Sequence, residues 1–236
     1  MCFYCNYIVK TMKLVCFSNT GQMPLLMNML NSAVKVGIPI EMFDVYILDD
    51  EQDSANYGTR KFADYCRIKM ECILNSLQRD PEVLWVDTDI VFLENCLDDI
   101  QSYGGDIVIQ DDLWSPCCGF FLARRTKMTI QVLQTITNKI RIGETNRGKL
   151  ADDQSWFQGI YIKNPVVVSK LPVVHYPNGD VYFVEENRSL AKMFHNNCII
   201  GADKKIERFK KINRWDPTPL DLPNIRKVGE PVIQTL

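Results

Sequence analysis

The chain has 236 residues, of which 46% are hydrophobic and 24% are charged, which is typical of a globular protein. Its formal net charge of −2 excludes the basic surplus expected of a nucleic-acid-binding protein. No apolar run is long enough to cross a membrane, and the start of the chain lacks the apolar core and cleavage site of a signal peptide. We therefore expect one α/β domain over residues 1–236 with a substantial core.

The nine cysteines do not form the pattern of a disulfide framework, because their number is odd and their spacing is irregular. Cys2 and Cys5 form a CxxC pair, but no second pair follows at zinc-site spacing and no strand precedes it. We interpret the cysteines as free thiols in a reducing compartment.

The first half of the chain has the pattern of a parallel sheet, since short apolar strands alternate with amphipathic helices. The predicted elements are a strand at 13–18, a helix that begins at Pro24 and stops at Gly37, a strand at 43–48, a helix at 59–77 and a strand at 83–86. This βαβαβ order places polar residues at the carboxyl ends of the strands, where open α/β sheets bind ligands.

The second half is less regular. The predicted elements are strands at 106–110 and 118–123, a helix at 128–142, a strand that begins at 166–168, and a hairpin that joins 173–174 to 181–183 through the turn Pro177-Asn178-Gly179-Asp180. Residues 1–12 are interpreted as an N-terminal extension and residues 216–236 as a Pro-rich extended tail.

Two carboxylates, Asp87 and Asp89, follow the buried strand that ends at Val86 and flank Thr88. Buried carboxylates are costly unless a positive charge compensates them, and hard oxygen ligands suit Mg²⁺ or Mn²⁺. An acidic turn after a strand is the alternative interpretation of this stretch.

Of the two histidines, His175 lies in an apolar stretch beside a turn and is interpreted as structural, whereas His195 is followed by polar residues, Gly201 and two lysines. Imidazole is a reasonable third ligand for Mn²⁺ beside two carboxylates. Lys204 or Lys205 could neutralise a diphosphate, and we expect one of the two to point inward while the other belongs to a solvated helix face.

Other polar residues remain open to two interpretations. Asn19, Thr20, Asp49 and Asp50 close the first two strands and either hold a nucleoside or form ordinary turns. By composition alone, Lys69 is a helix-surface residue. The run Asp152-Asp153-Gln154 either binds sugar hydroxyls or caps a helix.

Taken together, these pieces resemble the nucleotide-diphospho-sugar transferase family of GT-A fold glycosyltransferases, which is related to glycosyltransferase family 77. The resemblance runs from about Leu14 to Trp215. It rests on the ordered motifs Ser18-Asn19-Thr20, Asp49-Asp50, Lys69, Leu84-Trp85-Val86-Asp87-Thr88-Asp89, Gln110-Asp111-Asp112, Cys118-Gly119-Phe120-Phe121, Asp152-Asp153-Gln154, Leu171-Pro172 and His195-Asn196-Asn197 with Gly201 and Lys204 or Lys205.

The resemblance implies a Rossmann-like GT-A fold, in which helices flank a mostly parallel central sheet and a smaller second sheet is present. It also implies metal-dependent transfer of a sugar from a UDP- or GDP-sugar donor to a glycan or other hydroxyl acceptor, with Mn²⁺ (or Mg²⁺) held by Asp87, Asp89 and His195. The residues implied to bind the donor are Asn19, Thr20, Asp49, Asp50, Lys69, Asp87, Thr88, Asp89, Asn197, Gly201, Lys204 and Lys205. Asp153 and Gln154 are implied to face the donor sugar or the acceptor.

Family 77 enzymes retain the anomeric configuration, and the resemblance favours retention here. An inverting enzyme would need a carboxylate that takes the acceptor proton, and Asp112 and Asp153 are the candidates. Many Golgi members of the family begin with a membrane anchor and a stalk, and this sequence shows neither. We therefore expect a cytoplasmic enzyme, such as a microbial or viral one, or one domain of a longer protein.

Two other functions are compatible with parts of the pattern. In a haloacid-dehalogenase-like phosphatase, Asp87 would be the nucleophile of a DxDx[TV] motif, but here two strands precede the motif and the acidic residues Asp106, Asp111 and Asp112 follow it too soon. A nucleotide-sugar-binding module would keep the same residues without catalysing transfer.

Overall fold

The computed structural model describes residues 12–50, 58–146, 149–150, 152–184 and 188–228. Its strands are β1 (Met12–Asn19), β2 (Phe43–Leu48), β3 (Glu82–Val86), β4 (Ile90–Phe92), β5 (Ile107–Asp111), β6 (Pro116–Arg124), β7 (Thr145–Asn146), β8 (Lys149–Leu150), β9 (Val168–Leu171), β10 (Met193–His195) and β11 (Ile225–Lys227). Its α-helices are α1 (Met23–Lys35), α2 (Arg60–Arg79), α3 (Leu97–Ser102), α4 (Lys127–Arg141), α5 (Asp153–Tyr161), α6 (Gly179–Val184) and α7 (Ala202–Lys211).

Seven strands form the central sheet in the order β11-β2-β1-β3-β6-β5-β9. The pairs β1–β2, β1–β3, β2–β11 and β5–β9 are parallel, whereas β6 runs antiparallel to both of its neighbours. The expected mostly parallel sheet is therefore confirmed, and so is the βαβαβ order of its first three strands. Because β1, β2 and β3 are parallel, their polar carboxyl ends lie at one edge of the sheet.

The central strands are apolar throughout because helices cover both faces of the sheet. In β3, Val83 and Trp85 pack into a core under α2, α4 and α5, whereas Leu84 and Val86 pack into a second core under α1 and α3. Helix starts follow from capping side chains, since Thr59 and Thr126 accept hydrogen bonds from the first turns of α2 and α4.

A smaller antiparallel sheet brings distant parts of the chain together. Its strands are β4, which follows the Asp87–Asp89 turn, and β10, which ends at His195, and His195 pairs with Ile90 in the register. A third apolar cluster, which includes Phe194 and Phe209, packs this sheet against α7. The late histidine is thereby fixed beside the early carboxylates.

The predicted hairpin around Pro177-Asn178-Gly179-Asp180 is wrong. Residues 179–184 form α6, because the Asn178 side chain accepts a hydrogen bond from Val181 N at 2.9 Å and so caps a helix. The ring of Tyr182 stacks on Phe194 with centroids 3.9 Å apart, so packing outweighs the β-propensity of this stretch.

The described part of the Pro-rich tail, residues 216–228, is hydrogen-bonded to α1 and to β2. Asn31 on α1 donates to the carbonyls of Asp216 (3.1 Å) and Thr218 (2.8 Å), and Asn28 accepts from Asp216 N at 2.6 Å. The tail then enters the sheet as β11, beside β2. A segment expected only to be extended thus supplies the seventh strand.

None of the helices in the described ranges combines the length and the apolarity that a membrane-spanning helix needs. The Cys2–Cys5 pair and nearly all of the predicted N-terminal extension lie outside the described residues. Cys66, Cys72, Cys96, Cys117 and Cys118 are buried and unpaired, as expected of core thiols.

Replacing Asn31 with Ala removes both hydrogen bonds that hold the tail to α1. Each bond contributes about 1 kcal/mol, so we expect a loss of about 1–2 kcal/mol and a fall in Tm of about 2–8 °C. Gln131→Ala removes an exposed amide from α4 and is the matched control. Limited proteolysis should cut Asn31→Ala first within 216–228, and equal cleavage of both variants would contradict this role for Asn31.

Candidate active site

The Asp87-Thr88-Asp89 turn is fixed by the backbone at the end of β3. Asp87 N donates to the Gly119 carbonyl of β6 at 2.9 Å, and Ile90 N donates back to the Asp87 carbonyl at 3.3 Å. The chain therefore bends immediately after β3 and starts β4. Asp87 and Thr88 remain partly exposed, while Asp89 is buried.

Asp87, Asp89 and His195 form the group predicted to hold a metal. One ligand atom from each lies within 4.8 Å of the others. His195 Nε2 is 3.1 Å from Asp89 Oδ1 and 3.9 Å from Asp87 Oδ2. Residues separated by more than 100 positions in the sequence thus converge on one point, as expected from the motif order.

The orientation of His195 follows from Gln110 on β5. The Gln110 amide nitrogen donates to the carbonyls of Tyr176 (3.0 Å) and Pro177 (3.1 Å), which can only accept. The Gln110 oxygen therefore faces His195 Nδ1, at 3.0 Å, and accepts a hydrogen bond from the Nδ1 proton. Nε2 is left to face the two carboxylates, and in the neutral imidazole it carries the lone pair that a metal ligand needs.

This donor set fits a divalent cation. Two carboxylates and one imidazole suit Mn²⁺ or Mg²⁺ chemically, and the partial exposure of Asp87 leaves one side of the group accessible. Burial alone would lower the pKa of His195, but Asp89 raises it well above the ordinary value. Burial would raise the pKa of Asp89, but Lys205 and His195 hold it well below the usual range. These pairings keep Asp89 ionised, as a carboxylate ligand must be, and a bound cation would take the place of the proton on Nε2 of His195.

Gly119 on β6 makes this convergence possible. A Cβ atom at this position would lie 2.1 Å from His195 Cε1 and 2.8 Å from Asp87 Oδ2. Any larger residue would push the histidine or the carboxylate away. Gly119 is therefore a positioning residue for the group.

Lys69 on α2 is buried, so its interpretation as a helix-surface residue is wrong. Its ammonium lies 2.8 Å from Asp153 Oδ2, 2.9 Å from the Cys118 carbonyl and 3.4 Å from Asp87 Oδ1. Burial opposes its charge, but Asp153 and then Asp87 outweigh burial and hold the pKa of Lys69 well above its usual value. Trp85 also donates to Asp87 Oδ1, at 2.6 Å. Lys69 thus holds the carboxylates of Asp153 and Asp87 in place from α2.

The two lysines of α7 differ as expected. Lys205 Nζ is 2.7 Å from Asp89 Oδ2, whereas Lys204 is exposed on the solvated face of the helix. Gly201 has φ +105°, a backbone conformation that favours glycine, and lies directly before the first turn of α7. Lys205, in the first turn of α7, therefore brings positive charge to the metal group.

Asn197 links the metal side to Asp112. Its amide nitrogen is 3.3 Å from Asp112 Oδ1, and Asn178 donates to the same oxygen at 2.5 Å. Its amide oxygen accepts from Gly179 N at 2.8 Å. Asn197 thus joins the loop after β10 to the turn after β5.

At the ends of β1 and β2, Asn19 and Asp50 are joined through Tyr65. Asn19 Nδ2 donates to the Tyr65 hydroxyl at 3.1 Å, and the hydroxyl donates to Asp50 Oδ2 at 2.9 Å. Asp49 is exposed, whereas Thr20 Oγ1 is buried and has no hydrogen-bond partner among the described residues. A buried hydroxyl of this kind at the ligand-binding edge is suited to contact a bound group.

The three residues of the Asp152-Asp153-Gln154 run have different partners. Asp152 caps α5 by accepting from Ser155 N at 2.7 Å, as the capping interpretation predicts. Asp153 is buried against Lys69, and Gln154 Nε2 donates to Ser115 Oγ at 2.7 Å. The run therefore holds the turn between β5 and β6, α2 and α5 together beside the metal group.

Sequence reasoning missed several residues that position the site, namely Gly119, Gln110 as the partner of His195, Trp85 as the partner of Asp87, Tyr65 and Asn178. A glycine inside an apolar strand is a signal of close approach, and it could have identified Gly119. Trp85 lies only two positions before Asp87, so the alternation of side chains along a strand could have identified it. The other three side chains reach the site through tertiary contacts that no local spacing reveals.

A model of the family described as nucleotide-diphospho-sugar transferase matches residues 28–209. The chain is 28% identical over 196 residues to UDP-D-xylose:L-fucose alpha-1,3-D-xylosyltransferase 3 of Arabidopsis thaliana, covering 70% of this chain and 51% of that protein. It is 27% identical over 199 residues to UDP-galactose:fucoside alpha-3-galactosyltransferase of Dictyostelium discoideum, covering 70% and 30%. The chain thus spans about half or less of the length of these relatives.

Solved glycosyltransferases share the fold. One is involved in the glycosylation of the major capsid of PBCV-1 (TM-score 0.62, 10% identity, covering 85% of this chain and 98% of that chain). Another is the galactosyltransferase LgtC in complex with donor and acceptor sugar analogs (TM-score 0.54, 12% identity, covering 89% and 97%). These likenesses confirm the expected GT-A fold.

Replacing Lys69 with Met leaves the carboxylates of Asp153 and Asp87 without their buried cation. We expect a loss of about 3–5 kcal/mol in unfolding free energy, measured by urea denaturation. Lys204→Met, on the exposed face of α7, should change stability by less than about 0.5 kcal/mol.

The double variant Lys69→Met/Asp153→Asn tests the cause. It should lose less than the sum of the two single variants, because it removes the buried charge together with its partner. Additive losses would contradict the proposed coupling between Lys69 and Asp153.

Proposed function

The chain belongs to the nucleotide-diphospho-sugar transferase family, and on that premise we propose that it is a metal-dependent glycosyltransferase that moves a sugar from a UDP-sugar to a glycan hydroxyl. The observation that carries the proposal is the convergence of Asp87, Asp89 and His195 beside Lys205 at the ligand-binding edge of the sheet. The family match leaves no support for the phosphatase alternative with Asp87 as nucleophile.

In this proposal Asp87, Asp89 and His195 hold Mn²⁺ or Mg²⁺. The cation, when bound, would stabilise negative charge on the diphosphate leaving group. Gln110 keeps Nε2 of His195 turned toward the carboxylates of Asp87 and Asp89, where the cation would be held, and Lys69 and Trp85 fix the Asp87 carboxylate. The chain thus supplies an oriented site before the donor arrives.

The diphosphate of the donor is proposed to lie between the cation and the start of α7. Lys205 would turn from Asp89 to contact a phosphate, and Gly201 would let the backbone approach it. The first-turn amides of α7 add partial positive charge where the leaving group becomes more negative. Asn197 lies beside this start, and Lys204 would act only at longer range.

The nucleoside is proposed to occupy the ends of β1 and β2, with Asn19, Thr20, Asp49 and Asp50 around it. Support comes from the buried Thr20 hydroxyl and from the hydrogen-bonded chain of Asn19, Tyr65 and Asp50. Thr88 lies between the two metal-binding aspartates and would face the ribose or the phosphates.

We further propose that the anomeric configuration is retained and that the acceptor is a fucoside. The two curated relatives named above carry fucose or fucoside as acceptor and an alpha linkage in their names. An alpha linkage made from an α-linked UDP-sugar is one made with retention. Inversion needs a carboxylate that accepts the acceptor proton. Asp153 is buried against Lys69, and Asp112 accepts from Asn178 and Asn197, so both candidate bases are already engaged.

The cysteines support a reducing compartment such as the cytoplasm for this enzyme. Seven of them lie in the described ranges, all unpaired, and Cys16 and Cys66 are among the six that are buried. Free thiols in such numbers are typical of proteins that fold without disulfide formation.

Thermal shift tests the donor site directly. UDP-xylose or UDP-galactose with Mn²⁺ should raise Tm by about 5–10 °C at a donor concentration near 100 times Kd, because the ligand binds only the folded chain. Without Mn²⁺, or with His195→Ala, most of the shift should vanish. His175→Ala is the matched control, since His175 Nδ1 contacts only the Leu190 carbonyl among the hydrogen bonds described.

Two outcomes would contradict the proposal. Equal Tm shifts with and without Mn²⁺ would show that donor binding does not need the metal. No Tm shift with any UDP- or GDP-sugar would show that the chain does not bind the proposed donor. Donor binding without transfer to methyl glycosides, and without slow release of UDP, would instead indicate a nucleotide-sugar-binding module.

A further inference from the structure

The turn between β5 and β6 exposes a large apolar side chain beside the site. Trp114 is 89% exposed and its neighbour Leu113 is 52% exposed. A tryptophan can bury 150–250 Å² of surface, by order of magnitude, so leaving it in water forgoes a large stabilisation. The other tryptophans of the chain, Trp85, Trp156 and Trp215, are buried or partly buried.

Backbone hydrogen bonds close the turn. Asp112 N donates to the Ser115 carbonyl at 2.9 Å, and Trp114 N donates to the Asp112 carbonyl at 2.8 Å. Leu113 adopts φ +66°, a left-handed conformation that is costly for a residue with a branched side chain. Strain of this kind persists where the surrounding structure imposes it, and it is concentrated at functional sites.

Both ends of the turn are bonded to residues of the candidate site. Asp112 accepts from Asn197, two positions after His195, and Ser115 accepts from Gln154 on α5. Gln110, which orients His195, lies four positions before Trp114. The turn that carries the exposed indole is therefore hydrogen-bonded to Asn197, beside the metal group, and to Gln154 on α5.

The size of the patch favours a small occupant. A specific protein interface buries at least about 1,000 Å² in total, far more than Trp114 and Leu113 expose. One indole face matches one pyranose ring, whose apolar C–H face packs on aromatic rings. His195 and Asp89 are 3% and 5% exposed, respectively, so an acceptor can reach the metal group only from the side on which Asp87 is partly exposed.

We propose that Trp114 is the stacking platform for the acceptor sugar and that the β5–β6 turn, residues 112–115, forms one wall of the acceptor site. This inference rests on the proposed function. It assigns the acceptor side of the reaction to a residue outside the metal and donor groups. The turn's anchors at Asn197 and Gln154 set the distance between the stacked sugar and the donor.

Kinetics with UDP-xylose or UDP-galactose, Mn²⁺ and a panel of methyl glycosides, with methyl α-L-fucoside first, test the platform. Trp114→Ala should raise the acceptor KM about three- to tenfold. The donor KM and the donor-induced Tm shift should not change. Trp114→Phe should recover most of the acceptor affinity. Val167→Ala is the matched control, since Val167 is 58% exposed and lies at the opposite end of β5.

Acrylamide quenching of tryptophan fluorescence gives a readout without turnover. In the presence of UDP and Mn²⁺, the glycoside should protect the wild-type chain from quenching. The same glycoside should leave the quenching of Trp114→Ala unchanged, because the exposed tryptophan is gone.

The outcomes separate the two proposals. If no UDP-sugar raises Tm and no UDP is released, the proposed function fails. If the donor binds, but no glycoside in the panel reduces quenching or Trp114→Ala keeps the wild-type acceptor KM, the platform is overturned and the function stands. Binding of the wild type, but not of Trp114→Ala, to phosphatidylcholine vesicles with an unchanged acceptor KM would also overturn it.

Discussion

Carboxylates withdrawn from water must be compensated by positive charge, and the site depends on how this chain meets that requirement. Lys69 reaches Asp153 and Asp87 from α2, while Lys205 reaches Asp89 from α7. The two lysines come from different helices, and of these three aspartates Asp87 keeps the most exposed side chain, at 30%. A cation would therefore meet carboxylates that are already held in place, and Lys205 is the side chain that would have to move from Asp89.

The regular part of the fold could be predicted from local patterns. The apolar strands that end at Asn19, Leu48 and Val86 and the helices between them were found within one or two residues, because burial on both faces leaves a continuous apolar run. The structure of the stretch after Pro177 could not be predicted in this way. Asn-Gly is both a hairpin signal and a helix start, and the cap by Asn178 together with the contact between Tyr182 and Phe194 favours the helix.

The site could be predicted as a set of residue types but not as a network. Motif order was sufficient to join Asp87, Asp89 and His195, and the family match supports that reasoning. The burial of Lys69 could not be anticipated, because its partner Asp153 lies 84 positions away in the sequence. Each of the two residues looks like a surface charge on its own helix. Long-range ion pairs leave no periodic signal in a sequence, whereas amphipathic faces do.

The order of strands also bears on how copies of this chain meet. In the described sheet, β11 and β9 are the edges, and they have only three and four residues, respectively. β11 carries Arg226 and Lys227, and β9 carries Lys170. Short edges with positive side chains are poor templates for a further strand, since a pairing copy would bring like charges together. β11 pairs with β2 and so covers the longer, more apolar edge that β2 would otherwise expose. We expect this short, charged strand to protect the sheet from aggregation through edge-to-edge pairing.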